Sequence, residues 1–124
     1  VPIFAIGADE DHIAPWRSVF KIHLFVDSEV TFLLTNGGHN GGIVSEPGHR
    51  NRHYLMDTRG PSNVYEDPDT WRSAAIKKSG SWWPEWSDWL AEHSSKATSP
   101  PRIGSPESGL YLLGDAPGSY VMMR

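Results

Sequence analysis

PIFAIGADEDHIAPWRSVFKIHLFVDSEVTFLLT, residues 2–35, is the segment from which the fold class is predicted. Its apolar run over residues 2–7 ends at an acidic loop, which is typical of a central parallel strand buried on both faces. Pro15 and the helical spacing of the apolar residues after it predict a helix over residues 15–25. A β-branched and apolar run predicts a second strand over residues 30–35. Strand, helix and strand in this order favour two parallel strands joined by a right-handed crossover, and hence an α/β fold.

The second half of the chain carries weaker patterns. Residues 53–58 predict a short strand, and helices are predicted near residues 68–78 and 83–93. Asp67 occupies an N-cap position for the first of these helices. The lysines at residues 77–78 would then lie in its last turn, where their charges suit the helix dipole.

Tryptophans at helical spacing mark the start of the last predicted helix. This spacing favours a packing face over a channel for acyl groups, and the residues concerned are Trp82, Trp83, Trp86 and Trp89. Residues 94–109 are rich in serine and proline and are predicted to form a loop. Short strands are predicted at residues 110–113 and 120–123.

The composition limits the classes of function. The length of 124 residues fits one domain, and 11 basic against 15 acidic residues give a net charge of −4. A nucleic-acid partner is therefore not expected. No apolar run approaches the ~20 residues of a transmembrane helix, and no secretory signal pattern opens the chain, so we expect a cytoplasmic protein without a transmembrane segment. The absence of cysteine excludes disulfides and thiolate metal sites.

Two side chains follow the carboxyl ends of the two predicted parallel strands. They are Asp11 and His39. Open α/β sheets build their sites at this edge, and in hydrolase-type sites the acidic residue precedes the histidine along the chain. A carboxylate that accepts the imidazole N–H fixes the tautomer of the ring and stabilises its protonated form. The order therefore predicts a catalytic pair, although Asp11 also suits a plain role as a charge before the helix that follows it.

The chain resembles the C-terminal part of polyhydroxyalkanoate synthases, most closely the class I type. The resemblance covers nearly the whole chain and rests on four motifs in order, DHIAPW at residues 11–16, GH at residues 38–39, GSWWP at residues 80–84 and APGSYV at residues 116–121. It implies an α/β-hydrolase fold in which a cysteine carries the growing polyester as a thioester. His39 matches the histidine that activates this cysteine. Asp11 matches the aspartate that assists the histidine or deprotonates the incoming hydroxyacyl group.

This sequence departs from the family pattern in two ways. The family loop reads Gly-His-x-Ala-Gly, whereas this chain has Gly41 in place of the alanine, which loosens the predicted loop. More importantly, it contains neither a cysteine nor a complete G-x-S-x-G elbow, so it cannot form an acyl-enzyme by itself. We therefore expect residues 1–124 to be a C-terminal fragment of a catalytic α/β-hydrolase domain, with the nucleophile on upstream sequence.

The resemblance implies an acyltransferase that polymerises (R)-3-hydroxyacyl-coenzyme A and releases coenzyme A. Its partners would be this substrate, the growing polyester and the surface of the polymer granule, and exposed apolar surface on an incomplete sheet is compatible with a homodimer. No metal and no cofactor are expected, because coenzyme A enters as the substrate thioester. The alternatives are an esterase or other acyl hydrolase of the same fold, and a non-catalytic module that binds the granule or synthase subunits.

Overall fold

The computed structural model of the chain describes residues 1–123 and contains two units. The first unit is Val1–Ser94, and the second begins at Ser95. A single four-stranded mixed sheet lies in the first unit, and its strands follow the chain order across the sheet: β1 (Ile3–Ala8), β2 (Val30–Thr35), β3 (His53–Arg59) and β4 (Ile76–Ser79). The first unit therefore combines a sheet with helices, as an α/β fold does.

The first two strands confirm the predicted parallel pair. β1 runs parallel to β2, with Ile3 opposite Val30 and Ala8 opposite Thr35. Among residues 1–123, β1 pairs only with β2 and its first four residues are partly exposed, so within this chain it is an edge strand and not the predicted central strand buried on both faces. β2 is a central strand that is buried on both faces, since it lies between β1 and β3 and all six of its residues are buried.

Two apolar clusters cover the two faces of β2. On one face, Phe32 and Leu34 pack with aromatic side chains of the helices, and on the other face Leu33 packs with Tyr54 and Trp82. The alternation of these side chains follows from the two-residue period of a strand. Phe32 meets Trp71 edge to face with the ring centroids 5.0 Å apart. The two clusters therefore place buried aromatic side chains on both faces of β2.

The crossover between β1 and β2 contains two short helices. α1 (Trp16–Phe20) and α2 (Ile22–Phe25) occupy the predicted helix over residues 15–25, interrupted at Lys21. The buried faces of Trp16 and Phe20 pack on the sheet. Within residues 1–123, no helix is both long enough and apolar enough to cross a bilayer.

The helix predicted over residues 68–78 is shorter than expected. α3 (Pro68–Ala74) begins at the predicted N-cap, where Asp67 Oδ1 accepts the N–H groups of Asp69 and Thr70 at 3.0 and 3.1 Å. It ends because Ala75 is extended, and the lysines at residues 77–78 belong to β4, which pairs antiparallel with β3. The charge of these lysines indicated a helix end, but pairing with β3 decides their conformation.

The last predicted helix is confirmed and the last two predicted strands are wrong. α4 (Trp83–Glu92) agrees with the expected residues 83–93. In the second unit, Leu110 forms only an isolated bridge with Ser105, and Tyr120–Met122 is a single 3₁₀ turn. Apolar residues 110–113 extend no ladder in this unit, so their sequence pattern is not realised as a strand.

A polar cluster joins the start of α4 to the sheet. Glu85 Oε1 accepts the hydroxyl of Tyr54 at 2.8 Å and the ammonium of Lys78 at 2.6 Å. The bond from Lys78 lowers the pKa of the Glu85 carboxyl, against the opposing effect of burial. Burial, together with Glu85, raises the pKa of Tyr54. A carboxylate that accepts two donors therefore holds α4 against β3 and β4.

We expect Glu85→Ala to lower the free energy of unfolding by about 1.5–3 kcal/mol at neutral pH, because the buried Tyr54 hydroxyl loses a charged acceptor. Glu85→Gln is the matched control, since it keeps an acceptor oxygen and removes the charge. The folded-state pKa of Glu85 lies below the unfolded one, so the contribution of the charge is present above the unfolded pKa and disappears as the pH falls through the folded pKa. Urea unfolding should show wild type converging on Glu85→Gln in acid. Equal midpoints for wild type and Glu85→Ala at neutral pH would contradict this role.

Candidate active site

The loops after β1 and β2 continue the pairing of the two strands. Beyond the last strand residues, the N–H of Asp9 donates to the carbonyl of Thr35 at 2.8 Å, and the N–H of Glu10 donates to the carbonyl of Gly37 at 3.1 Å. Both loops leave the carboxyl edge of the sheet, where α/β sheets place their sites. The main chain therefore brings the two predicted site residues to adjacent positions.

Asp11 and His39 form a hydrogen-bonded pair. The distance between His39 Nδ1 and Asp11 Oδ2 is 2.8 Å, across 28 residues of sequence. The other carboxylate oxygen, Oδ1, accepts the N–H groups of Ile13 and Ala14 at 2.8 and 2.9 Å. The N–H of Ala14, followed by the bonds from His39 and Ile13, holds the pKa of Asp11 below its usual value against desolvation.

The tautomer of His39 follows from this arrangement. An ionised carboxylate only accepts hydrogen bonds, so Nδ1 carries the hydrogen and donates it to Asp11. In the neutral ring, Nε2 is then left with its lone pair. The Asp11 side chain is 7% exposed, whereas the His39 side chain is 48% exposed. The pair therefore consists of a covered carboxylate and an accessible imidazole that can accept a proton.

A compact turn carries the imidazole. The N–H of Gly42 donates to the carbonyl of Gly38 at 2.8 Å, and the N–H of Ile43 donates to the carbonyl of Asn40 at 3.1 Å. Gly42 is buried so closely that an added Cβ would lie 2.8 Å from Ala8 Cβ. The turn is thus packed directly on the end of β1, which leads to Asp11.

A second set of residues, which the sequence pattern did not predict, contacts this turn. The indole N–H of Trp82 donates to the carbonyl of Gly42, and the indole N–H of Trp83 donates to the carbonyl of Ile43, each at 3.0 Å. The Ser81 hydroxyl donates to the carbonyl of Ser45. The GSWWP motif was the available signal, but helical spacing indicated only that the rings pack. Trp82 does pack in the apolar cluster with Leu33 and Tyr54, but its indole N–H also forms a hydrogen bond with the turn.

Two other charged residues near the turn form hydrogen bonds with partners other than Asp11 and His39. Arg52 Nη1 donates to the carbonyl of Asn36 at 3.3 Å, and His49 Nδ1 lies 3.0 Å from Glu46 Oε1. Within residues 1–123, no group of three or more histidine, aspartate or glutamate side chains is arranged to hold a metal ion. The Asp11–His39 pair is therefore the candidate site.

The two glycines at the end of the turn give a matched pair of variants. We expect Gly42→Ala to lower the free energy of unfolding by about 1–3 kcal/mol, because its methyl group would press on Ala8, Thr35 and the carbonyl of Gly38. Gly41→Ala meets only Arg52 Nη2 at 3.8 Å. Its φ lies outside the left-handed region, so it should stabilise the fold by about 0.4–1 kcal/mol. Urea unfolding checks both values, and equal effects at the two positions would contradict the packing described here.

A comparison with protein-family models found no match. Curated relatives nevertheless match the chain over its whole length. They include the poly(3-hydroxyalkanoate) polymerase of Methylorubrum extorquens, 40% identical over 126 residues, and the poly(3-hydroxyalkanoate) polymerase subunits PhaC of Rhizobium etli, 37% identical over 124 residues, and of Cupriavidus necator, 32% identical over 125 residues. All of this chain is covered in each case, but only 20, 19 and 20% of the respective relatives. The chain thus spans about a fifth of their length, and the resemblance expected from the four motifs is confirmed.

Proposed function

We propose that this chain is the C-terminal part of a polyhydroxyalkanoate synthase with an α/β-hydrolase fold, in which it supplies two members of a Cys–His–Asp triad. The similarity of the whole chain to poly(3-hydroxyalkanoate) polymerases supports the class of reaction. The observation that carries the site is the 2.8 Å hydrogen bond between His39 Nδ1 and Asp11 Oδ2. The thiol comes from outside these 124 residues, which contain no cysteine.

In the proposed reaction, His39 Nε2 takes the proton of the cysteine thiol, and the thiolate attacks the thioester carbonyl of a hydroxyacyl-coenzyme A. The bond to the coenzyme A sulfur breaks, and the proton on Nε2 leaves with coenzyme A as its free thiol. Nε2 next takes the proton of a hydroxyacyl hydroxyl. The resulting oxygen attacks the carbonyl of the acyl chain held on the cysteine, the carbon–sulfur bond to the cysteine breaks, and the proton on Nε2 passes to the freed thiolate. The new ester bond lengthens the polyester by one unit.

Asp11 serves in this scheme by orienting His39 rather than by contacting substrate. Its Oδ1 already accepts two backbone N–H groups, its Oδ2 faces Nδ1 of His39, and its side chain is 7% exposed. A base that acts directly on a substrate hydroxyl must lie within hydrogen-bond reach of it. The burial and engagement of Asp11 support the orienting role, and the exposed imidazole is left as the general base.

The substrate in this proposal is (R)-3-hydroxyacyl-coenzyme A, and the product is a polyester that remains attached to the protein. The enzyme would then act in the cytoplasm at the surface of the polymer granule, where the product accumulates. The names of the relatives, which describe polymerases of poly(3-hydroxyalkanoate), support the substrate class.

The 124-residue chain alone should release no coenzyme A from 3-hydroxybutyryl-coenzyme A, because it has no thiol to accept the acyl group. A longer natural polypeptide that contains this chain and a G-x-C-x-G elbow should release it. A thiol-reactive dye follows the free coenzyme A, and chromatography of the product follows the polyester. Turnover by the 124-residue chain would contradict the proposal, and release of coenzyme A without polyester would indicate an acyl hydrolase.

In the longer polypeptide, we expect His39→Ala and Asp11→Asn each to lower kcat by about 10⁴-fold or more, as loss of a triad member does. His49→Ala is the matched control, because His49 pairs with Glu46 outside the proposed site. This variant should keep wild-type activity. Steady-state rates of coenzyme A release measure all three variants. Rates near wild type for His39→Ala or Asp11→Asn would remove the catalytic assignment.

A further inference from the structure

We propose that Trp82 and Trp83 are positioning residues that fix the His39 imidazole through their indole N–H groups. This inference rests on the proposed function, because it concerns how accurately His39 is placed for proton transfer. In this proposal, the indole N–H groups have a role that is separate from the packing of the apolar faces of the rings. The two residues contact neither substrate nor the reacting atoms in the proposed reaction.

Two successive hydrogen bonds connect each indole N–H to a residue next to His39. Trp82 donates to the carbonyl of Gly42, whose own N–H donates to the carbonyl of Gly38, the residue before His39. Trp83 donates to the carbonyl of Ile43, whose own N–H donates to the carbonyl of Asn40, the residue after His39. Each indole is therefore two hydrogen bonds away from a neighbour of the imidazole.

The turn needs such restraint because of its composition. Gly37, Gly38, Gly41 and Gly42 surround His39 and Asn40, and glycine gives the backbone more conformational freedom than any other residue. On the amino-terminal side, strand pairing holds the turn through the bond between Glu10 and Gly37. On the carboxyl-terminal side, the side-chain donors of the GSWWP motif hold it. The imidazole thus lies between two fixed ends.

Two other tryptophans show that packing alone does not require these bonds. Trp71 and Trp89 also carry buried indole nitrogens, and neither nitrogen has a hydrogen-bond partner among the described residues. Trp71 is 1% exposed and Trp82 is 4% exposed, so the two rings are equally buried. Trp82 differs from Trp71 in directing its N–H at the turn that carries His39. Trp71 is therefore the matched control for removal of an indole N–H.

The sharpest test removes the N–H donor and keeps the size and shape of the ring system. β-(3-Benzothienyl)alanine has the shape of tryptophan with sulfur in place of the N–H, and it can be introduced at residue 82, 83 or 71 of the active longer polypeptide. We expect kcat for coenzyme A release to fall about 10- to 100-fold at residues 82 and 83, because small displacements of a catalytic group cost this much. KM should stay within about twofold of wild type, and residue 71 should keep wild-type kcat.

The outcomes separate this inference from the function on which it rests. If His39→Ala retains activity, the proposed function fails. If His39→Ala is inactive while the isosteric replacements at residues 82 and 83 retain wild-type kcat, the proposed function stands and the positioning role is overturned. An equal loss of kcat at residue 71, or a loss that appears only in KM, also overturns it. Thermal unfolding of each variant shows whether the fold is retained, and the half-buried Trp83 decides the question if substitution at residue 82 impairs folding.

Discussion

The parallel pairing of β1 with β2 is the constraint on which the candidate site depends. The register places Ala8 opposite Thr35, so both strands end in the same row of the sheet and both loops leave from one edge. A slip of one residue would exchange the side chains on the two faces of β2 and turn Phe32 and Leu34 toward the cluster that contains Leu33, and the packing of the two clusters opposes this. Asp11 and His39 meet because the core fixes this register, and their hydrogen bond adds the final orientation.

The loops that extend from this edge are ordered by close backbone packing. Gly42 lies against Ala8, which joins the turn of His39 to the end of the strand that leads to Asp11. Gly7 makes a similar close approach, because an added Cβ there would lie 2.8 Å from Trp16 Cβ, at the start of α1. Contacts of this kind transmit the geometry of the sheet to the loops. Gly7 and Gly42 are therefore required for these close contacts.

The sequence predicted those features of the fold that depend on short-range pattern. The apolar runs over residues 2–7 and 30–35 predict parallel strands, and the position of Asp11 and His39 at one edge follows from that topology. The end of α3 was predicted wrongly because lysines at residues 77–78 resemble a helix terminus, whereas their conformation depends on pairing with β3, which is distant in sequence. The bonds of Trp82 and Trp83 to the turn could not be predicted either. Helical spacing indicates which side of a helix is buried, but it does not indicate where the N–H of an indole ring on that side points.

The unequal exposure of the pair fits the two roles proposed for it, a fixed carboxylate and an accessible imidazole. Asp11 is covered, and the hydrogen bonds from the Ala14 N–H, His39 and the Ile13 N–H lower the pKa of its carboxyl against the effect of burial, so its charge is held in place. His39 hydrogen-bonds to this carboxylate through Nδ1, and almost half of its side chain remains exposed. An imidazole restrained at Nδ1 alone could still swing with its glycine-rich turn, and in the proposed reaction this would move Nε2 away from the thiol or hydroxyl that it deprotonates. Restraint of the turn from the side of α4 is therefore the natural complement to Asp11, because one holds the ring and the other holds the backbone that carries it.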